Sequence, residues 1–212
     1  MEILWLGHSC FRLRGREATI ITDPYQTSLG YSLGRQTADI VTISHQHPGH
    51  NNAAGVEGPP KVLQGPGEYE ISGALIMGIQ TYHDAQSGQT LGGNTIYLIQ
   101  LEDLSICHLG DLGHVPSSSQ IQELSKVDVL MIPVGGITTL NVTSAAETIG
   151  LLEPKIVIPM HYRTERARPD LLPLADFLKE MGLEETTAQP RLNVTRSSLP
   201  QESQVVVLEA RG

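Results

Sequence analysis

The segment Ser44-His45-Gln46-His47-Pro48-Gly49-His50 constrains this chain more than any other stretch. It closes an apolar, β-branched run, Asp39–Ser44, that reads as a buried strand. Pro48 and Gly49 exclude a helical pair of histidines, because proline lacks a backbone donor and fixes φ. In extended chain His45 and His47 point to the same side, and the Pro-Gly turn folds His50 back toward them. Neutral imidazoles converging in this way are good ligands for zinc, iron or manganese.

The same design recurs along the chain: an apolar strand ends in a residue type that binds metal. Ile20-Ile21-Thr22 leads to Asp23, Ile79-Gln80-Thr81-Tyr82 to His83, Ile106-Cys107-His108-Leu109-Gly110 to Asp111, and Ile156-Val157-Ile158-Pro159-Met160 to His161. Strand ends are where loops form a crevice in α/β sheets. Core packing alone does not explain five strands that end this way.

Further strands are expected at Ile3–Leu6, Cys10–Leu13, Ala18–Thr22, Lys61–Leu63, Ala74–Thr81, Asn94–Leu101, Leu104–His108, Val127–Ile132, Lys155–Pro159 and Gln204–Leu208. Many are apolar on both faces, which suits sheets covered on both sides. Helical spacing appears at Ser117–Lys126, at Thr143–Leu152 (opened by a capping Thr-x-x-Ala) and at Pro169–Met181, which stops at Gly182. Strands dominate the first half, and helices alternate with strands in the second. The pattern predicts two packed sheets with helices outside, in one domain spanning residues 1–212 without an internal linker.

Composition narrows the function. The net charge of −9 argues against a sequence-independent grip on nucleic acid, which needs clustered Lys and Arg. Cys10 and Cys107 each lie in an apolar run and read as buried, reduced thiols of a cytoplasmic protein rather than a disulfide framework. No signal peptide is evident, and no apolar run is long enough to cross a bilayer.

The His-x-His-x-x-His after a strand, the later lone histidine, the Gly-Asp and the Pro-Met-His, in this order, resemble the metallo-β-lactamase superfamily. Leu6-Gly7-His8-Ser9-Cys10 and Thr22-Asp23-Pro24 resemble its branch of Zn-dependent hydrolases related to the ascorbate-phosphate lactonases. The resemblance covers nearly the whole chain. It implies an α+β fold, a four-layer αβ/βα sandwich with a metal site at one edge of the sheets. It also implies that His45, His47 and His83 hold one ion, that Asp111 bridges to a second held by His50 and His161, and that Asp23 supports the site by taking a histidine ring N–H. Zinc is expected, as one or two ions, with manganese or iron as alternatives. One position departs from the pattern: Gly49 stands where the family motif has a metal-binding aspartate. That leaves the second ion with two histidines and the shared Asp111, and favours the first.

The implied activity is hydrolysis by a metal-bound hydroxide of a small anionic ester, lactone or phosphodiester. General-base help would come from Asp111, from His114 or from the metal alone. His8 lines the same mouth, or is a hydrogen-bonded turn histidine; His108, inside a strand pattern, reads as structural. Arg163, Arg166 and Arg168 form a loop that selects an anion or is simply solvated. Glu68 and Glu70 share a solvent-facing strand side. Gly135-Gly136 marks a close backbone approach at the site or a tight turn. Alternatives to the hydrolase are a degenerate binding member of the fold, favoured by Gly49, and a mononuclear iron redox enzyme. The expected partner is a small molecule, with no nucleic acid and no membrane, and a homo-oligomer is compatible with the sequence.

Overall fold

The computed structural model describes residues 1–166, 170–184 and 186–211. Its strands are β1 (Glu2–Gly7), β2 (Cys10–Arg14), β3 (Thr19–Thr22), β4 (Ile40–Ile43), β5 (Lys61–Gln64), β6 (Gly67–Ile71), β7 (Ala74–Tyr82), β8 (Gly93–Leu101), β9 (Leu104–His108), β10 (Val129–Pro133), β11 (Ile156–Met160), β12 (Leu192–Asn193) and β13 (Gln204–Val205). The α-helices are α1 (Ser118–Leu124), α2 (Val142–Leu152) and α3 (Leu174–Glu180). One sheet has the order β12-β1-β2-β3-β4-β5, the other β13-β11-β10-β9-β8-β7-β6. Both are mixed. β3, β4 and β5 run parallel after an antiparallel start, and β9, β10 and β11 run parallel after the antiparallel β6–β9 meander.

Period-2 alternation sorts the side chains between layers. On β3 and β4, Ile20 and Ile40 enter the large core between the sheets, which also holds Trp5, Phe11, Ile96 and Ile106. Their neighbours Ile21, Val41 and Ile43 face the other way, into a smaller cluster with Tyr25, Tyr31, Leu33 and Val56. That outer layer is covered by loops with two 3-10 turns, Thr27–Leu29 and Ala53–Gly55. The α-helices follow β9, β10 and β11, so the helical part of the expected sandwich belongs to the second half of the chain. Among the described residues no helix is long and apolar enough to cross a membrane.

β6 adds a strand to those expected, and three further elements differ from the sequence reading. β12 is two residues long, too short to carry a periodic signal. Residues 206–208 leave β13, and Leu208 makes only an isolated bridge to Gln189. α3 starts at Leu174 rather than at Pro169, which lies outside the described residues. Leu172 explains the late start: its N–H donates to Gly135 O and its carbonyl accepts from Arg163 N–H, so the chain before Pro173 runs extended.

Candidate metal centre

Parallel strands deliver their C-terminal ends to one edge, and β3, β4, β9 and β11 carry Asp23, His45, Asp111 and His161 just beyond those ends. Backbone hydrogen bonds lock the two sheets together there. Thr95 N–H donates to Ser44 O at 2.9 Å, and His161 N–H donates to His8 O at 3.1 Å. The Trp5 indole also donates to His8 O, at 2.9 Å. His8, Asp23 and His161 have φ of 54°, 40° and 53°. This left-handed geometry is uncommon outside glycine, although His and Asp tolerate it better than most residues. Each turns the chain sharply at a strand end.

Asp111 is the hub. Its Oδ2 lies 3.1 Å from His50 Nε2, 3.2 Å from His83 Nε2, 3.1 Å from His161 Nε2 and 3.8 Å from His45 Nε2. One carboxylate oxygen faced by four ring nitrogens is more crowded than ordinary hydrogen bonding calls for. His45 Nε2 is buried with no hydrogen-bond partner, a costly arrangement unless something else binds that lone pair. Ligand atoms of His45, His47 and His83 lie within 4.8 Å of one another, as do those of His8, His50 and His161, and those of Asp23, His45 and His50. The donor set and the orphaned nitrogen fit a divalent metal ion.

The charges agree with this role. Burial works to raise the pKa of Asp111, but His161 and His50 hold its carboxyl well below the usual carboxylate range. Burial works to lower His50, but Asp111 and Asp23 push it up to about 10. His50 thus sits between two carboxylates that favour its charged form. Burial and the neighbouring His50 push His45 down to about 3, leaving it neutral.

The supporting contacts are specific. His50 Nδ1 lies 2.9 Å from Asp23 Oδ2, and Asp23 also accepts from Ser44 N–H at 2.7 Å and from Ser44 Oγ at 2.5 Å. Ser44 Oγ lies 2.9 Å from His45 Nδ1, and His83 Nδ1 lies 2.9 Å from Thr138 O. Asn94 Oδ1 accepts from Asp111 N–H while its amide donates to Thr81 Oγ1 and Leu109 O. An added Cβ at Gly110 (φ +58°) would collide with Asn94 and Ser44, and one at Gly135 would collide with the His161 carbonyl. The Gly135 contact is therefore a close approach at the site.

Of the residues singled out in the sequence, the structure brings together His8, His45, His47, His50, His83, His161, Asp23 and Asp111. His47 is exposed and marks the mouth. Beside it, His45, Gln46, Gln64, Gln80 and Leu91 help line a cleft of about 500 Å³. His114 stands apart from the cluster's contacts: its Nε2 accepts from Tyr82 N–H at 3.3 Å and its Nδ1 lies 2.9 Å from Val115 O. His108 is fully buried and bonds Ser9 O through Nε2. Arg163 and Arg166 are exposed, and Arg168 lies outside the described residues. Asp84 does not substitute for the carboxylate missing at position 49, because it accepts four backbone N–H groups, from Gln86, Gly88, Thr90 and Leu91. Sequence reasoning missed Ser44, Asn94 and the Thr138 carbonyl. Serine and asparagine next to ligand positions carry a weak signal, and a backbone carbonyl carries none.

Two facing mixed sheets with a histidine–aspartate cluster where strand ends gather define a protein of the metallo-β-lactamase fold. The chain belongs to the beta-lactamase superfamily domain family, whose model matches residues 2–161. It is 30% identical to a UPF0173 protein of Pyrococcus furiosus, over 85% of this chain and 90% of the relative. It is 28% identical to a UPF0173 metal-dependent hydrolase of Pyrococcus horikoshii, over 77% and 85%. Among solved structures it resembles a candidate Zn-dependent hydrolase of the metallo-β-lactamase superfamily from Thermotoga maritima, at 38% identity and a TM-score of 0.81, covering 98% of this chain and 97% of the other.

Proposed function

We propose that this chain is a metal-dependent hydrolase acting on a small anionic ester, lactone or phosphodiester. The observation that carries the reading is the convergence of four buried ring nitrogens on Asp111 Oδ2, one of them from His45, which also lines a cleft. His45, His47 and His83 would hold one zinc ion, with manganese or iron as alternatives. Asp111 would connect it to a second position at His50 and His161. When bound, such an ion supplies a Lewis acid and a water acidified from a pKa of 15.7 to roughly 7. Asp111, ionised and surrounded, would serve as ligand rather than as an acid, and its lowered pKa makes it a weaker base than an ordinary carboxylate. Asp23 and Ser44 fix the rings of His50 and His45, so the ligands do not have to reorganise on binding. The neutral glutamines of the cleft offer hydrogen bonds to a polar substrate, and Arg163 and Arg166 on the loop after His161 add positive charge nearby. A cytoplasmic location fits the two buried, unpaired cysteines.

The test combines elemental analysis of protein purified without chelators with turnover on a panel of aryl esters, lactones and phosphodiesters. The expected result is bound metal and activity that falls at least a hundredfold in His83→Ala. Stoichiometric metal with no turnover across the panel would favour the degenerate binding protein, and bound iron with oxygen uptake the redox enzyme.

A further inference from the structure

We propose that His8 takes the place of the carboxylate missing at Gly49 and completes a second metal position made of His8, His50 and His161, with Asp111 shared. Three observations place it there. Ring nitrogens of His8, His50 and His161 lie within 4.8 Å of one another, and all three residues are buried. The His8 ring sits 4.2 Å from that of His161 and 4.9 Å from that of His50, centroid to centroid. A Cβ built on Gly49 would lie 3.1 Å from His8 Nε2 and 3.3 Å from His8 Cδ2. A side chain at 49 would therefore press on the His8 imidazole, which would have to shift by a few tenths of an ångström. With no side chain at 49, the His8 imidazole meets no competing ligand on that side of the site.

The backbone holds His8 for this. Its carbonyl accepts from both the Trp5 indole and His161 N–H, so His8 and His161 are fixed relative to each other before any ion arrives. Three histidines with one shared carboxylate are a complete coordination sphere for zinc, which takes nitrogen and oxygen donors in tetrahedral arrangement. The second position is then as well furnished as the first, and the chain holds two ions.

The inference rests on the metal-hydrolase reading for the identity of the site, but its test reads metal rather than turnover. Apo-protein is titrated with Co²⁺ and with Zn²⁺ and the bound equivalents are counted by elemental analysis and by the cobalt visible spectrum. The variants are His8→Ala, His8→Ala/Gly49→Asp and His83→Ala. The expected result is two equivalents in the natural chain and one in His8→Ala, with the second affinity at least tenfold weaker. In His8→Ala/Gly49→Asp the second equivalent returns, which separates lost ligation from misfolding. Two equivalents retained in His8→Ala, or a single equivalent in the natural chain, would overturn the proposal and leave the hydrolase reading standing. Binding of neither ion by the natural chain would overturn both.

Discussion

At the scale of single residues, the site depends on groups that never touch an ion. Asp23 fixes His50 and both donors of Ser44, and a carboxylate alone can accept from all three. In Asp23→Asn one acceptor becomes an NH2 group facing a donor, and removal of such a partner typically lowers metal affinity or activity by about 10–100-fold. Isothermal titration with Zn²⁺ should show that loss with a circular dichroism spectrum like the parent's. Asp84 acts at one further remove. Burial opposes ionisation, but the backbone N–H of Leu91 leads the others in holding its pKa at about 2, and the loop it folds returns Gly92 O to His83 N–H. Asp84→Ala is expected to loosen residues 84–92 and weaken the first metal position by about tenfold, to judge from the usual effect of supporting groups. Amide hydrogen exchange over that loop would detect the change.

Among the elements, the strands and their apolar ends were legible because periodicity and β-branching announce them. β4 and the turn at Pro48-Gly49 show this: their sequence dictates both the strand and the return of His50. The histidine–aspartate cluster followed, since every strand that delivers one of these side chains was readable. What escaped notice depends on contacts between distant segments. The packing of His8 against Gly49 and the bond from Tyr82 N–H to His114 are of this kind. The start of α3 is set by a bond from Leu172 to Gly135 that local propensity does not report. The β10–α2 connection is fitted tightly enough to test. In Gly135→Ala the new methyl group would displace His161, destabilising the chain by about 1–3 kcal/mol and weakening the second metal position. A thermal melt read beside metal stoichiometry distinguishes this from a simple folding defect, in which stoichiometry would be unchanged. The β8–β9 turn supplies a pH test. Burial works to raise the pKa of Glu102, but Arg16 N–H, the terminal amine and the Arg16 guanidinium together lower it below the ordinary value of 4.5. A lowered carboxyl contributes stability that is present above the unfolded value and lost as pH falls through the folded one. Glu102→Gln should therefore be less stable than the parent at pH 7, and the gap should close below about pH 4.5, the unfolded value.

For the molecule as a whole, metal and fold are linked by mass action. An ion that binds only the folded chain adds about 4 kcal/mol when present at a thousand times its Kd, which for a chain of this size raises Tm by roughly 10 °C. Scanning calorimetry with zinc and then with excess chelator should show that rise and its reversal. No shift with either would mean that the histidine cluster holds nothing. The cluster also has a consequence for time rather than for equilibrium. Its side chains come from both sheets, from His8 at the end of β1 to His161 after β11. An ion shared among them works as a removable rivet: the two leaves cannot part at that edge until it leaves. Loaded protein should then unfold at a pace set by ion release, and persist through brief stresses that open the bare chain.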